Sequence, residues 1–238
     1  SRNSLSVGES GILSVTSSDF RKLLQEELSE CDIVVVLAHC GLEGFDLPLP
    51  EWREVFWTFI DMGVKAVIAH HTHTVLPMEV RDESPIYYGI GNFFMPPHYA
   101  GDTCEGLCVT VETRPNREIS FHDVLVKQKN CQLEIVDRES QPVKLLDQVA
   151  DYELAIERLC VEYYNSVLEP GLLDVFNGVG HRPKVIDLLR IVHSRMARRY
   201  VDENPRAIVQ RLLYLEHLFK VESNRWTLER ALRKRVSG

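Results

Sequence analysis

The sequence predicts an α/β domain followed by a helical extension, and three observations carry that prediction. Two short apolar, β-branched runs, residues 33–38 and 64–69, each stop at a histidine. The segment between them carries helix start and stop signals, and from about residue 142 the pattern turns helical. A continuous apolar run with a polar tip reads as a buried strand covered on both faces, the habit of parallel sheets in α/β domains. Strand, helix, strand is a βαβ crossover, which sets its strands parallel with their carboxyl ends on one side.

In chain order, residues 1–11 are rich in Ser and Gly and read as a loop, and residues 12–15 as a short strand. Ser17 or Ser18 caps a helix over 19–29, where Phe20, Leu23, Leu24 and Leu28 recur at helical spacing. The first histidine strand ends at His39 and gives way to a loop with Gly41 and Glu43. Pro50 in the first turn, Glu51 and Glu54 at the amino end and Gly63 past the last turn define the crossover helix. The second strand ends in His70-His71-Thr72-His73.

Residues 75–80 and 86–88 flank the turn-forming Asp82-Glu83-Ser84-Pro85 and predict a hairpin, followed by a glycine-flanked loop at 89–93. After a loop with Pro96, Pro97 and Gly101, residues 107–113, 119–127 and 132–136 predict a three-stranded meander, with a turn at 114–117. Helices are read over 143–167, 183–200 and 205–235, each with a proline near its start, as a small bundle.

The 238 residues, 45% of them hydrophobic, support a real core in one large domain, or in a domain with an appendage. The net charge of −8 is uneven: about +8 over residues 182–238 and −16 over 1–181, a chemical boundary near 178–183. Six cysteines without a CxxC pair read as reduced thiols, not a disulfide scaffold. The sequence has no run of eighteen apolar residues and no charged-then-apolar leader, and the compartment is left open.

Ligands of open α/β sheets bind beyond the carboxyl ends of strands, so His39 and the 70–73 cluster are expected on one rim. Imidazoles at His39 and at the HxH pair His71 and His73 suit a divalent ion such as zinc, manganese or iron. Glu43, four residues after His39, would orient an imidazole or act on bound water, against the plainer reading of a solvated loop carboxylate. Asn92 either offers its amide to the same rim or adopts a left-handed turn. His98, His122, His181, His193 and His217 have no partner at useful spacing and are read as structural. Phosphate-binding glycine loops, GxSxG elbows and Cys/His nucleophile signatures are absent. The basic helices carry interspersed acids and few aromatics, which reads as a solvated face with no nucleic acid expected.

Three motifs carry a resemblance. His39-Cys40-Gly41-Leu42-Glu43 resembles His-x-Gly-x-Glu, Ala69-His70-His71-Thr72-His73 resembles Gly-His-His-Pro-His, and Tyr87-Tyr88-Gly89-Ile90-Gly91-Asn92-Phe93 resembles Tyr-Ser-Leu-Gly-Asn-Phe. In this order and spacing they are the motifs of the CapA family of poly-γ-glutamate capsule synthesis proteins, and the similarity covers about residues 10–127. It implies a calcineurin-like metallophosphoesterase fold over residues 1–138, here partial, with a helical extension over 139–238.

By the same resemblance His39, His71 and His73 would be metal ligands for two divalent ions in an intact domain, and Glu43, His70 and Asn92 beside them are the candidate catalytic groups. Ala69 and Thr72 replace the family's glycine and proline. The family's early motifs, which supply acidic ligands, have no counterpart, so the expectation is a carboxyl-terminal portion of a longer protein whose sheet keeps an open side. The implied activity is metal-dependent hydrolysis of a phosphate ester or related anionic bond in capsule synthesis. Its partners would be an anionic small molecule or polymer, a missing amino-terminal segment, or other capsule-synthesis proteins. The alternatives are a non-catalytic polymer assembly or transport factor, and a zinc module whose basic helices bind nucleic acid.

Overall fold

A computed structural model describes residues 13–95, 103–116, 118–129, 132–136, 143–168 and 222–237. The chain divides into two compact units, residues 1–152 and 153–238. The first opens with helix α1 (Ser18–Glu30), capped by Ser17, whose Oγ accepts the Phe20 N–H at 3.1 Å. Strand β1 (Val35–His39), helix α2 (Pro50–Asp61) and strand β2 (Ala66–His70) form the predicted crossover, with Pro50 in the first turn of the helix. Strands β3 (Met78–Arg81) and β4 (Ser84–Tyr87) form the hairpin, and the sheet order is β1-β2-β4-β3, parallel except for β3. The meander is a separate antiparallel sheet of β5 (Thr103–Thr113), β6 (Ile119–Lys129) and β7 (Gln132–Val136), its first two strands longer than the sequence suggested.

Side-chain alternation sorts the layers. Ile68, Tyr87 and Met78 share one face of the first sheet and pack on Leu107 and Leu125 of the meander. Val67, Ala69 and Ile86 take the other face. There Phe56 of α2 stacks on Tyr88, ring centroids 5.6 Å apart, and Phe20 of α1 meets Phe59 at 5.3 Å. Helices, first sheet and meander are therefore three layers, an α/β architecture as expected. Each fully buried phenylalanine contributes roughly 2–3 kcal/mol by area.

Three expectations are corrected. Residues 13–15, read within a short strand, form none, and Ser14 O instead accepts the Ser17 N–H at 3.0 Å in the turn that leads into α1. The first histidine strand loses cover on one face toward its end: Val36 and Ala38 are buried and Val35 packs on the core cluster, while Leu37 is 77% exposed. Leu37 pairs with Ile68 and so points to the meander side, but β1 is the sheet edge and the meander packs on Ile68 and the strands beyond it. The helix read from residue 143 begins at Tyr152 instead. Lys144 O accepts the Met78 N–H at 2.9 Å, a short 3₁₀ turn spans Leu146–Gln148, and Asp151 has φ +49°. That backbone bonds to β3 instead of its own next turn.

The second unit contains most of helix α3 (Tyr152–Tyr163), a π turn (Tyr164–Leu168) and helix α4 (Glu222–Ser237). Tyr164 and Ala231 pack with Val161 and Leu228, and Lys234 Nζ meets Glu157 Oε2 at 2.8 Å. The loops at 1–11 and about Pro96, the helix read over 183–200, most of that over 205–235, the boundary near 178–183, and His98, His181, His193 and His217 lie outside the described residues. Among the described residues no helix is long and apolar enough to cross a membrane.

A polar network ties α2 to the sheet. Glu79, paired with Ile86 and so facing the helix, accepts Arg53 Nη2 at 2.5 Å, Trp57 Nε1 at 3.1 Å and the Tyr88 hydroxyl. The Arg53 guanidinium also stacks on Trp57 at 4.8 Å and Tyr152 at 4.7 Å. Burial works against the charge on Glu79, but the bonds from Arg53, Tyr88 and Trp57 outweigh it and hold its carboxyl below the usual range. Burial and the adjacent carboxylate push the Tyr88 hydroxyl up.

The rim is set by Thr72, which is 1% exposed. A Cβ on Gly41 would lie 2.5 Å from Thr72 Cγ2, and one on Gly89 would collide with Thr72 Oγ1 and come within 2.9 Å of Leu76 Cγ. Two glycines therefore form the slot for one side chain. Gly41 also has φ +129°, which a side chain would resist. Thr72 O accepts the Gly44 N–H at 2.9 Å and its hydroxyl donates to Thr74 O at 3.0 Å, so the loop after β1 is laced to the loop after β2.

Two outcomes follow for equilibrium unfolding in urea. Glu79→Gln lowers stability by about 2 kcal/mol, because it leaves the Arg53 guanidinium half-buried without its carboxylate. The contribution of a depressed carboxyl is present above its unfolded value and lost as pH falls through the folded one, so the deficit narrows in acid. Gly89→Ala costs about 1–3 kcal/mol by overpacking the Thr72 slot, whereas Gly44→Ala, with open space at its Cβ, costs less despite its φ of +73°.

Candidate functional site

Strands β1 and β2 pair in register so that His39 lies beside His70, and the Cys40 N–H continues the ladder to His70 O at 3.0 Å. Both strands stop at the same height, which puts their terminal imidazoles on one rim. The two Nδ1 atoms are 3.4 Å apart, a distance that calls for one ring to donate to the other. Beyond β2 the chain turns sharply: His71 has φ +113° and His73 φ +60°, with buried Thr72 between them. Such backbone costs about 1–3 kcal/mol per residue and persists where the surroundings over-determine it. Here the slot around Thr72 does so.

Ring centroids are 5.4 Å apart for His39 and His70, 4.8 Å for His39 and His71, and 6.3 Å for His73 to each of His70 and His71. Burial, then the neighbouring His39 and His73, lowers the pKa of His70. Burial and His39 likewise lower that of His71, against a smaller opposing effect of Glu43. Both imidazoles are thereby neutral at neutral pH, with lone pairs available.

Asn92 resolves the choice that the sequence leaves open. It does not take a positive φ, and its Oδ1 lies 2.7 Å from His73 Nδ1. Its Nδ2 donates to His73 O at 3.3 Å, which fixes which end of the amide faces the ring. His73 therefore carries its proton on Nδ1, leaving the Nε2 lone pair free. Glu43 Oε1 is 3.8 Å from that Nε2, on a side chain 68% exposed. His122 stands apart on β6, 4.0 Å from Glu112 at the surface.

Four clustered imidazoles, one oriented through its second nitrogen, suit a borderline divalent ion in kind. Among the described residues, however, no three His, Cys, Asp or Glu side chains form a ready ligand group, so metal binding requires these rings to turn or further donors to join them. A cleft of about 870 Å³ opens beside His73 and Asn92, walled by Glu43 and Asp46 on one side and by Glu105 and Lys127 of the meander on the other. Lys127 Nζ meets Glu105 Oε1 at 2.8 Å.

Sequence reading passed over Thr72 and the meander wall. In the sequence Thr72 is only a replacement of the family's proline, because only the fold shows the two glycines around it. Lys127 did carry a signal: it follows Leu125 at period two, a charge where the alternation predicts an inward position.

Comparison with known proteins bears on this rim. Residues 2–96 match the family described as Bacterial capsule synthesis protein PGA_cap. The chain is similar to the PGA biosynthesis protein CapA of Bacillus subtilis (strain 168), 32% identical over 83 residues that make up 35% of this chain and 22% of that protein. It is also similar to the capsule biosynthesis protein CapA of Bacillus anthracis, 32% identical over 62 residues, 26% of this chain and 15% of that protein. The matched segments thus span about a fifth or less of these relatives' length. All four clustered histidines, Glu43 and Asn92 fall inside the family match, and residues 2–96 are similar, as a partial domain, to the bacterial capsule synthesis proteins of this family.

Proposed function

We propose that in the intact protein this rim is a divalent-metal hydrolytic site acting on a phosphate ester or a related anionic bond during capsule polymer synthesis. The observation that carries the reading is the gathering of His39, His70, His71 and His73 at two adjacent parallel strand ends, with Asn92 holding His73 by Nδ1. His39, His71 and His73 would hold the ion, zinc, manganese and iron all being compatible with imidazole donors. Bound there, it would supply Lewis-acid polarisation of the scissile group's oxygen. A second ion would draw on acidic donors beyond these histidines.

The chain's own groups have separable tasks. Asn92 keeps the His73 Nε2 lone pair toward the cleft. Glu43, beside that nitrogen, accepts a proton from the attacking water at its carboxylate. His70, neutral because buried among other imidazoles, takes up at one ring nitrogen the proton released by the water and gives a proton to the leaving group, returning to its neutral form. Lys127, on the facing wall, meets the negative charge of the substrate. The names of the relatives, PGA and capsule biosynthesis, support a capsule polymer or its precursor as the substrate class.

A second reading, a non-catalytic assembly factor for an anionic polymer, draws on the missing ready-made ligand group among the described residues. Elemental analysis separates the two. The wild-type chain should carry near-stoichiometric metal, and His39→Ala/His71→Ala/His73→Ala should lose it. A folded wild-type chain without metal after manganese or zinc loading sinks the hydrolytic reading. Metal retained without turnover of p-nitrophenyl phosphate moves the protein to the assembly role.

The pH dependence has a definite sign. Because His70 and His71 titrate below the ordinary value of 6.5, the unfolded chain takes up their protons first. Their presence costs no stability well above that value and progressively more as pH falls below it. Thermal melts of the metal-free chain should therefore shift down on acidification, less so in His70→Ala. Zinc affinity should hold to a lower pH than an ordinary imidazole site would allow.

A further inference from the structure

The family match ends at residue 96, yet the segment that carries Asn92 is held from outside it. Gln128 on β6 is 2% exposed, pairs in register with Cys104, and uses both ends of its amide on one residue. Its Oε1 accepts the Met95 N–H at 2.7 Å and its Nε2 donates to Met95 O at 2.7 Å, the pattern one strand makes with another. The Cys104 thiol adds a contact to the same Oε1 at 3.2 Å.

Nearer the rim, the Leu107 N–H donates to Ile90 O at 2.8 Å and the Asn92 N–H to Glu105 O at 2.9 Å. Gly106 lets the segment lie against β5, since a Cβ there would come within 2.6 Å of the Asn92 carbonyl carbon. Phe93 and Phe94 are 55% and 49% exposed, so their side chains do little to anchor it. Asn92 is thus fixed by β5 on one side and, three residues on, by Gln128. A glutamine buried at a core position is stabilising only if its amide is satisfied, and Met95 satisfies it.

We propose that Gln128 is a positioning residue of the rim: by clamping Met95 it holds Asn92 against His73 and so sets which nitrogen of His73 carries the proton. The second sheet is then part of the site and more than a wall of its cleft. The consequence for metal affinity rests on the hydrolytic reading above; the consequence for the His73 proton does not.

The test is a ¹⁵N–¹H spectrum of the imidazole rings in the metal-free, 238-residue chain at about pH 8. In the wild type His73 should report an Nδ1 proton. Gln128→Met, which keeps the volume and removes both hydrogen bonds, should shift His73 toward the Nε2–H form, as should Asn92→Ala, with no further shift in the double variant. Zinc affinity should fall about tenfold in Gln128→Met.

A wild-type His73 signature in folded Gln128→Met, alongside a shifted one in Asn92→Ala, overturns the proposal. If Gln128→Met does not fold, wild-type amide exchange decides: a protected Met95 N–H upholds the clamp and a freely exchanging one removes it. A tautomer response with no zinc bound by the wild type upholds the positioning role and removes the hydrolytic reading alone.

Discussion

Thr72 seated between Gly41 and Gly89 is the constraint on which the rim depends. It brings together the ends of β1 and β2 and the start of the loop after β4, three points remote in sequence. Because the slot is closed on both sides, the backbone on either side of Thr72 must turn through positive φ, and the residues that do so are His71 and His73. A histidine pair separated by one residue would alternate along an ordinary strand. Here it flanks a buried anchor, and both rings are delivered to solvent near His39 and His70.

Behind the rim, the sheet is held from its two faces by different physics. On the helix side, aromatic packing of Phe56 on Tyr88 is combined with the Glu79–Arg53 network, so a charged pair lies among aromatic rings with its hydrogen bonds satisfied. On the meander side the packing is mostly aliphatic, through Ile68, Met78, Leu107 and Leu125, with Tyr87 among them donating its hydroxyl to Asp123 Oδ2 at 3.0 Å. The same meander then runs past the first sheet's end, where its inward positions change from leucine to Lys127. That change converts a core face into the wall of a cleft. The histidine motifs fall within the family match, whereas this wall falls beyond residue 96.

The edge position of β1 has a chemical corollary. Its exposed Leu37 and His39 share a face, so apolar surface adjoins the imidazoles directly. His70 and His71, one strand inward, feel the burial most, which is why their pKa values fall.

Much of this was legible in the residues. Apolar runs that stop at His39 and His70, proline at residue 50, glycine at residue 63 and a serine cap at residue 17 determined strand, helix, strand and their parallel pairing, because these signals act over a few residues of backbone. The meander was equally local. What the tertiary structure alone decided is burial and partnership. An apolar run does not say whether a second layer reaches it, and none covers Leu37. Proline and helical spacing do not reveal that residue 144 bonds to β3, and that bond delays α3 to Tyr152. Nor could spacing tell whether Asn92 turned or bonded, since that depends on where His73 stands after the slot around Thr72 has bent the chain. Local backbone preference is written in neighbouring residues, whereas a buried slot, an open edge and a hydrogen bond across nineteen positions exist only when distant segments meet.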